Sequence, residues 1–312
     1  MTQPTSVDMT FDTSLVDINP PSNVNASFST TDSGSTLDVQ QTPTQATSAS
    51  NTSNSVQHIP TQAAYDQWAS IYDTDGNMLQ AIDDLELQQV LPEFLSQVKN
   101  SNVTKEKLHV LDLGCGTGRN TRKLVRYDWN GKSIEVTGLD FSQGMLNVAT
   151  KKLATSIEGQ EKVRLRLKCC DCFPTVNDPS TSPLPAVQTL EPSHAVISTL
   201  VLEHIPLEDY FATLCTLLLP GGTALVTNMH ADMGRISQAG FVNAHGVKVR
   251  GSSYVYTVEE TAEAARAAGL EVISVNEREM RKEDVESGAV GERGWKWVGT
   301  KVWYGMVFRK VL

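Results

Sequence analysis

The segment His109-Val110-Leu111-Asp112-Leu113-Gly114-Cys115-Gly116-Thr117-Gly118-Arg119-Asn120 constrains this chain more than any other. It reads as a buried strand that runs into a glycine turn and then into a helix. Glycine at every second position lets the backbone adopt positive φ and come close to a ligand. The helix that follows offers free backbone N–H groups at its start. Such a unit belongs in a parallel sheet, and the rest of the chain agrees. Apolar runs at Leu108–Leu113, Ile134–Leu139, Val163–Lys168, Ala195–Thr199, Ala224–Asn228, Leu270–Val275 and Val302–Phe308 alternate with helical patterns. Ser142–Leu153 reads as a helix with Ser142 as N-cap, and Pro206–Leu219 as one with proline in its first turn. Thr257 and Glu260 form a capping box on a further helix that stops at Gly269. Strands alternating with helices predict an α/β fold, a doubly wound sheet covered by helices on both faces.

Upstream, Ala64, Trp68 and Ile71 recur at helical spacing, as do Leu79, Ile82, Leu85 and Leu91. These predict two helices joined near Asp75-Gly76-Asn77, with Pro92 kinking the second or starting another. Residues 1–58 are rich in Ser, Thr, Asn, Gln and Asp and lack apolar periodicity. Such a segment buries too little surface to offset its ordering entropy, so a disordered tail is expected there. The division expected is a tail at 1–58, a helical lid at 59–107 and a catalytic domain at 108–312.

Charge and cysteine content narrow the setting. The net charge is −10, yet 12 of the 36 acidic residues precede Lys99, the first Lys or Arg, so the rest sets 24 acids against 26 bases. A nearly neutral domain is a poor match for a phosphate backbone, and no nucleic-acid partner is expected. No run of 18 apolar residues exists and the first residues lack a basic n-region and an apolar h-region, so neither a membrane nor a secretory route is expected. The five Cys suit reduced thiols in the cytoplasm. Cys169, Cys170 and Cys172 have no second Cys/His pair at zinc spacing, so no metal is expected.

The glycine turn can cradle the pyrophosphate of a dinucleotide or the amino-acid end of S-adenosylmethionine. The dinucleotide fingerprint G-x-G-x-x-G fails because Arg119 stands at its third glycine. Asp112, two residues before the first glycine, suits a ligand with an ammonium group and no phosphate. The second strand ends at Asp140, placed to hold ribose hydroxyls. Met145 on the adjoining helix lies where it would flank an adenine.

With these motifs the chain resembles the class I methyltransferases that use S-adenosylmethionine, in particular the small-molecule enzymes of the ubiquinone and menaquinone type. The resemblance covers about residues 62–312. Besides Asp112, Gly114, Gly116, Thr117, Gly118 and Asp140-Phe141, it rests on Asp171 in Cys170-Asp171-Cys172-Phe173, on Ser198-Thr199-Leu200-Val201-Leu202-Glu203-His204, and on Leu219-Pro220-Gly221-Gly222. It implies a Rossmann-like sheet of seven strands whose last two pair antiparallel at the edge. It implies that Asp171 and Cys172 lie near the adenine, and that Thr199 and Leu200 border the cofactor. The run Tyr65-Asp66-Gln67-Trp68-Ala69-Ser70-Ile71-Tyr72-Asp73 resembles the family's lid helix, which brings Tyr65, Trp68 and Tyr72 to the cofactor.

The expected activity is methyl transfer to a small metabolite or natural product through an N, O, S or C acceptor, by in-line displacement, in a monomer or homodimer. Protein methylation, and a cyclisation on the same fold, are the alternatives. An acceptor that must lose a proton needs a base. His230, at the fifth-strand tip, is the first candidate and His204 the second. The acids that hold magnesium in catechol methyltransferases, the Asn/Asp-Pro-Pro-aromatic motif of DNA amino-methyltransferases and the second glutamate of arginine methyltransferases have no match here. The stretch between His230 and Tyr254 matches nothing and is expected to shape the substrate pocket.

Overall fold

Each of the seven apolar runs becomes a strand in the computed structural model, which describes residues 56–175 and 177–311. The expectation for residues 1–55 lies outside the described residues. In chain order the elements are β1 (Val56–His58), α1 (Thr61–Trp68), α2 (Met78–Ser101), β2 (Lys107–Leu113), α3 (Arg119–Arg126), β3 (Ser133–Asp140), α4 (Gln143–Ala154), β4 (Val163–Cys169) and α5 (Pro183–Ala186). There follow β5 (Ser193–Thr199), a 3-10 turn (Leu202–His204), α6 (Leu207–Leu217), β6 (Leu218–Met229), α7 (Ala231–Gly234), β7 (Gly240–Val242) and β8 (Lys248–Arg250). The chain closes with α8 (Val258–Ala267), β9 (Leu270–Glu279), α9 (Lys282–Glu286), a second 3-10 turn (Glu292–Trp297) and β10 (Lys301–Lys310).

Seven strands form one sheet in the order β4-β3-β2-β5-β6-β10-β9. β2 to β6 run parallel, and β10 is antiparallel to both of its neighbours. The last two strands therefore pair antiparallel at the edge, with the reversed strand one place in from the rim. The chain winds outward from β2 in one direction and then from β5 in the other. The switch point between β2 and β5 is where open α/β sheets bind ligands, beyond the carboxyl ends of the strands.

The sheet is buried on both faces. Leu87, Leu91, Phe94 and Val98 of α2 pack with Leu124 and Val125 of α3 on one side. Phe211 and Leu214 of α6 pack with Ala265 of α8 and Phe308 of β10 on the other.

Three expectations are corrected. Pro92 neither kinks α2 into two helices nor starts one, since a single helix runs from Met78 to Ser101. The proline and Gln88, whose carbonyl loses its partner, both lie on the exposed side, where water satisfies that oxygen. The buried stripe on the opposite side carries the helix through. The lid expected over 59–107 does not hold along its whole length, because Leu87, Leu91, Phe94, Leu95 and Val98 of α2 are buried in the core. The tail does not reach 58, because Val56–His58 pair parallel with β8 in a second sheet, of order β1-β8-β7.

That second sheet is built by the stretch with little apparent apolar order. Its Phe241 and Val249 are buried against Ala64 and Trp68 of α1. The rings of Trp68 and Phe241 stack with centroids 5.2 Å apart at 15°. The 231–253 insertion is thus the support on which the lid rests.

Candidate functional site at the strand tips

The glycine turn leaves β2 with Gly114, Gly116 and Gly118 at φ of 74°, 53° and 78°. A Cβ on Gly114 would lie 2.3 Å from Val201 Cγ2, so the turn is pressed against the segment after β5. A Cβ on Gly116 would meet nothing within 4 Å. Gly118 is the N-cap residue of α3. Asp112, just before the turn, is buried and accepts from Thr121 Oγ1 at 2.6 Å through Oδ2. Its Oδ1 has no partner among the described residues, and burial pushes its carboxyl up to about 7.

Asp140 closes β3 opposite the turn. Its Oδ2 accepts from the Gly116 N–H at 2.7 Å and its Oδ1 from the Ser142 N–H at 2.8 Å. Burial raises this carboxyl to about 6, against the pull of those two N–H groups. Ser142 caps α4 through Oγ, which accepts from Met145 N–H at 3.1 Å, and Met145 itself is fully buried.

α1 is fastened over these tips by side chains. Asp66 Oδ1 accepts from Ser142 Oγ at 2.6 Å and from Gly144 N–H at 2.9 Å. Gln62 Nε2 donates to the Phe141 carbonyl, and Thr117 Oγ1 donates to Asp73, which Lys152 also holds. The ring of Tyr65 lies 6.2 Å from that of Phe141 and 6.0 Å from that of Tyr72. Trp68 donates its indole N–H to Asp75 at 2.7 Å. The lid therefore meets the glycine turn through Asp73 and the β3 tip through Gln62, Tyr65 and Asp66.

Past β5, Thr199 Oγ1 accepts from Asn120 Nδ2 at 2.9 Å. Leu200 then takes φ of 56°, a left-handed conformation that costs a leucine about 1–3 kcal/mol. Its N–H is held by the Thr227 carbonyl at 2.9 Å, so sheet pairing maintains the strain. Asp171 is exposed and caps the following loop, its Oδ1 accepting from Phe173 N–H at 3.5 Å. Cys172 is buried, with its thiol on the Cys170 carbonyl. Among the described residues no three His, Cys, Asp or Glu side chains gather as a metal set.

The two histidines expected as candidate bases both make hydrogen bonds of their own. His230 accepts from Asp232 N–H through Nδ1 at 3.0 Å and meets Glu277 through Nε2 at 2.9 Å. With both ring nitrogens used it caps α7 and ties β6 to β9, and it does not line the chamber described next. His204 donates from Nδ1 to the Ser252 carbonyl at 2.7 Å, so its Nε2 accepts the Tyr65 O–H at 2.8 Å. Burial lowers its pKa and keeps the ring neutral. Of the tryptophans, Trp303 is buried in β10, Trp297 lines the chamber and Trp295 is exposed.

Between the lid and the tips of β5 and β6 lies a chamber, partly open to solvent, with a cavity volume of about 80 Å³. Trp68, Tyr72, Leu200, Met229, Met233 and Trp297 wall it, and residues 237–240 of the insertion close one side. Glu203 also faces it. This residue was not among those singled out from sequence. It is 3% exposed, Oε2 has no partner among the described residues, and burial pushes its carboxyl up to about 7. The sequence sign of it is an acid directly after the apolar run Leu200-Val201-Leu202 that follows β5. Arg119 was missed as well. Its guanidinium binds Asp83 and Asp84 of α2, and Asp83 also accepts from Thr227 and from the Trp303 indole. The residue that breaks the dinucleotide fingerprint thus anchors α2 beside the turn.

The family model for a methyltransferase domain matches residues 110–222. An uncharacterized methyltransferase of Emericella nidulans is 43% identical over 258 residues, which are 78% of this chain and 88% of that protein. The chain belongs to the class I S-adenosylmethionine-dependent methyltransferases. Among solved structures, geranyl diphosphate C-methyltransferase from Streptomyces coelicolor A3(2) is 15% identical, with 74% of this chain and 82% of that one covered at a TM-score of 0.48. Magnesium protoporphyrin IX methyltransferase from Synechocystis PCC 6803 is 14% identical, with 80% and 94% covered at a TM-score of 0.48. The methyl donor of the methyltransferase is S-adenosylmethionine. No helix among its described residues is long and apolar enough to cross a membrane.

Proposed function

We propose that this methyltransferase transfers the methyl group of S-adenosylmethionine to a small molecule bound in the chamber under α1. The observation that carries this reading is the chamber itself. It is a concave pocket walled by aromatic and thioether side chains beside the strand tips, a lining that suits a small apolar molecule better than a polymer.

The residues around the glycine turn fit the donor. Asp112 is a buried carboxyl with an unpartnered oxygen, and an ammonium group is the partner it lacks. Gly116 presents open space where a side chain would stand, beside Asp140. Each Asp140 oxygen accepts one backbone N–H and keeps a lone pair for a ribose hydroxyl. We assign Asp112, Gly114, Gly116, Thr117 and Gly118 to the amino-acid end and Asp140 to the ribose. Phe141, Met145, Asp171 and Cys172 then border the base, and Tyr65, Trp68, Tyr72, Thr199 and Leu200 the reacting end.

The donor supplies an activated methyl on a sulfonium. The chain's part is to orient an acceptor in line with it and to exclude water. Orientation supplies about 7–11 kcal/mol of barrier lowering in well-aligned systems. The lid performs both tasks by closing Tyr65, Trp68 and Tyr72 over the tips.

The test is direct. Full-length protein is titrated calorimetrically with S-adenosylhomocysteine, then incubated with isotope-labelled S-adenosylmethionine and a metabolite extract. Label should appear in small molecules of the extract. Label found only in protein would overturn the small-molecule reading. Failure to bind S-adenosylhomocysteine would overturn the placement of the donor.

A further inference from the structure

Glu203 is a buried carboxyl at the wall of the acceptor chamber, with no ion pair to Lys or Arg among the described residues. It is 3% exposed, and one carboxylate oxygen has no hydrogen-bond partner among the described residues. The groups that face it do not neutralise it. From α2 comes Asp83, a second anion. From the lid come the phenols of Tyr65 and Tyr72, and from β10 that of Tyr304. His204 Nε2 lies 3.6 Å away, but that nitrogen accepts the Tyr65 O–H and carries no proton. Arg293 and Lys296 line the same chamber, yet Arg293 acts on Asp75 and Lys296 lies 5.0 Å from the ring centroid of Trp297.

Burying a carboxylate without a cation is costly, and the group then either takes up a proton or recruits a charged ligand. Leu200, Met229 and the lid aromatics Tyr65, Trp68 and Tyr72 line the same chamber as Glu203. A carboxylate in an aromatic-lined pocket recognises an ammonium group through a charge-assisted hydrogen bond and cation–π contacts.

We infer that the acceptor is an amine on an apolar body, and that Glu203 binds its ammonium group and takes its proton. This rests on the small-molecule reading above. The step balances. The ammonium proton passes to Glu203 Oε2, and the freed nitrogen lone pair forms the bond to the methyl carbon. The carbon–sulfur pair returns to sulfur, which becomes a neutral thioether. The product leaves as an N-methylammonium, and Glu203 returns its proton to water.

The experiment uses full-length protein holding S-adenosylhomocysteine at pH 8, with phenethylamine and its neutral counterpart phenethyl alcohol as probes. Calorimetric titration should show the amine bound at least about tenfold more tightly, as a charged hydrogen bond supplies. Glu203→Gln should lose that preference while keeping S-adenosylhomocysteine affinity. The comparison within the parent protein stands even where the variant fails to fold. With S-adenosylmethionine present, phenethylamine should gain one methyl group by mass. Equal binding of the two probes, binding of neither by protein that holds S-adenosylhomocysteine, or retention of the preference in Glu203→Gln would each overturn the amine assignment alone. Loss of S-adenosylhomocysteine binding in the parent points instead at the reading it rests on.

Discussion

The Tyr65 hydroxyl donates to Nε2 of His204 at 2.8 Å, and Nδ1–H of the same ring donates to the Ser252 carbonyl at 2.7 Å. One imidazole thus joins the lid helix, the β5 tip and the insertion. Tyr65→Phe removes the donor and leaves a buried acceptor unsatisfied, at a cost of about 1–3 kcal/mol. That cost falls on the docking of α1, since the core clusters do not include Tyr65 among their buried members. Hydrogen exchange should quicken in residues 61–77 and stay unchanged in β2 to β6. Uniform quickening across the sheet would mean that the bond supports the whole fold.

Asp140 is expected to hold the ribose, and the hydrogen bonds it already makes set how its variants behave. Both oxygens accept backbone N–H groups, from Gly116 and Ser142. From sequence, an asparagine is expected to be mild because its amide oxygen still accepts. In the structure its NH2 must face one of two N–H donors, so Asp140→Asn should disturb the turn almost as much as Asp140→Ala. Either should weaken S-adenosylhomocysteine binding by at least about tenfold, the equivalent of one charged hydrogen bond. Parent-like affinity in both variants, read by calorimetry, would remove Asp140 from the cofactor site.

These two cases show what can be read from the chain alone. Asp140 stands out because its position after an apolar run depends only on local pattern. The seven strands stand out for the same reason, each run being bounded by turn residues. Glu203 does not, because its burial is made by distant segments: Asn228 Oδ1 accepts its N–H, and its own carbonyl accepts the Tyr254 N–H. Trp68 reads as a lid residue turned to the cofactor, yet its stacking partner Phe241 lies in a stretch with no period to recognise. Pro92 misleads because the cost of a helix proline depends on which side faces water.

From sequence, His230 is expected as a base at the tip of β6, but Glu277 and the Asp232 N–H occupy both ring nitrogens. His230→Ala should remove a helix cap and a hydrogen-bond donor to Glu277, costing about 1–2 kcal/mol, or a few degrees of melting temperature for a domain of this size. Methyl transfer at saturating substrate should stay within a few-fold of the parent. A loss of 10²-fold or more, the size expected for a general base, would restore His230 to the chemistry.

Three buried carboxyls give the site a pH signature. Burial raises Asp112 to about 7, Asp140 to about 6 and Glu203 to about 7. The folded chain therefore holds protons that the unfolded chain has released above about pH 4. These groups lower stability progressively as pH rises from about 4 to about 7, while His204, kept neutral by burial, lowers it as pH falls below about 6.5. An ammonium placed at Asp112 favours the carboxylate and expels its proton. Binding of S-adenosylhomocysteine at pH 6.5 should thus release protons, seen as a binding heat that varies with the ionisation enthalpy of the buffer. The effect should shrink by pH 8.5 and in Asp112→Asn. Proton uptake on binding would contradict the pairing.

The glycine turn allows the donor's position to be tested apart from the fold. Gly114 and Gly116 both have positive φ, at 74° and 53°, so alanine at either costs about 1–2 kcal/mol of backbone strain. Beyond that they differ. At Gly114 the new methyl would lie 2.3 Å from Val201 Cγ2, and the residue's own N–H is fixed to the Leu139 carbonyl at 2.8 Å, so neither side yields. Overpacking adds about 1–3 kcal/mol, and Gly114→Ala should melt well below the parent. At Gly116 the methyl meets nothing within 4 Å, and the melting point should fall by only a few degrees. That open space is where the proposed site receives the amino-acid end of the donor. Gly116→Ala should therefore lose S-adenosylhomocysteine affinity by tenfold or more, about 1.4 kcal/mol, while remaining folded. Thermal melting and calorimetric titration of the two variants separate the effects. A folded Gly116→Ala that binds S-adenosylhomocysteine as the parent does would place the donor away from this turn.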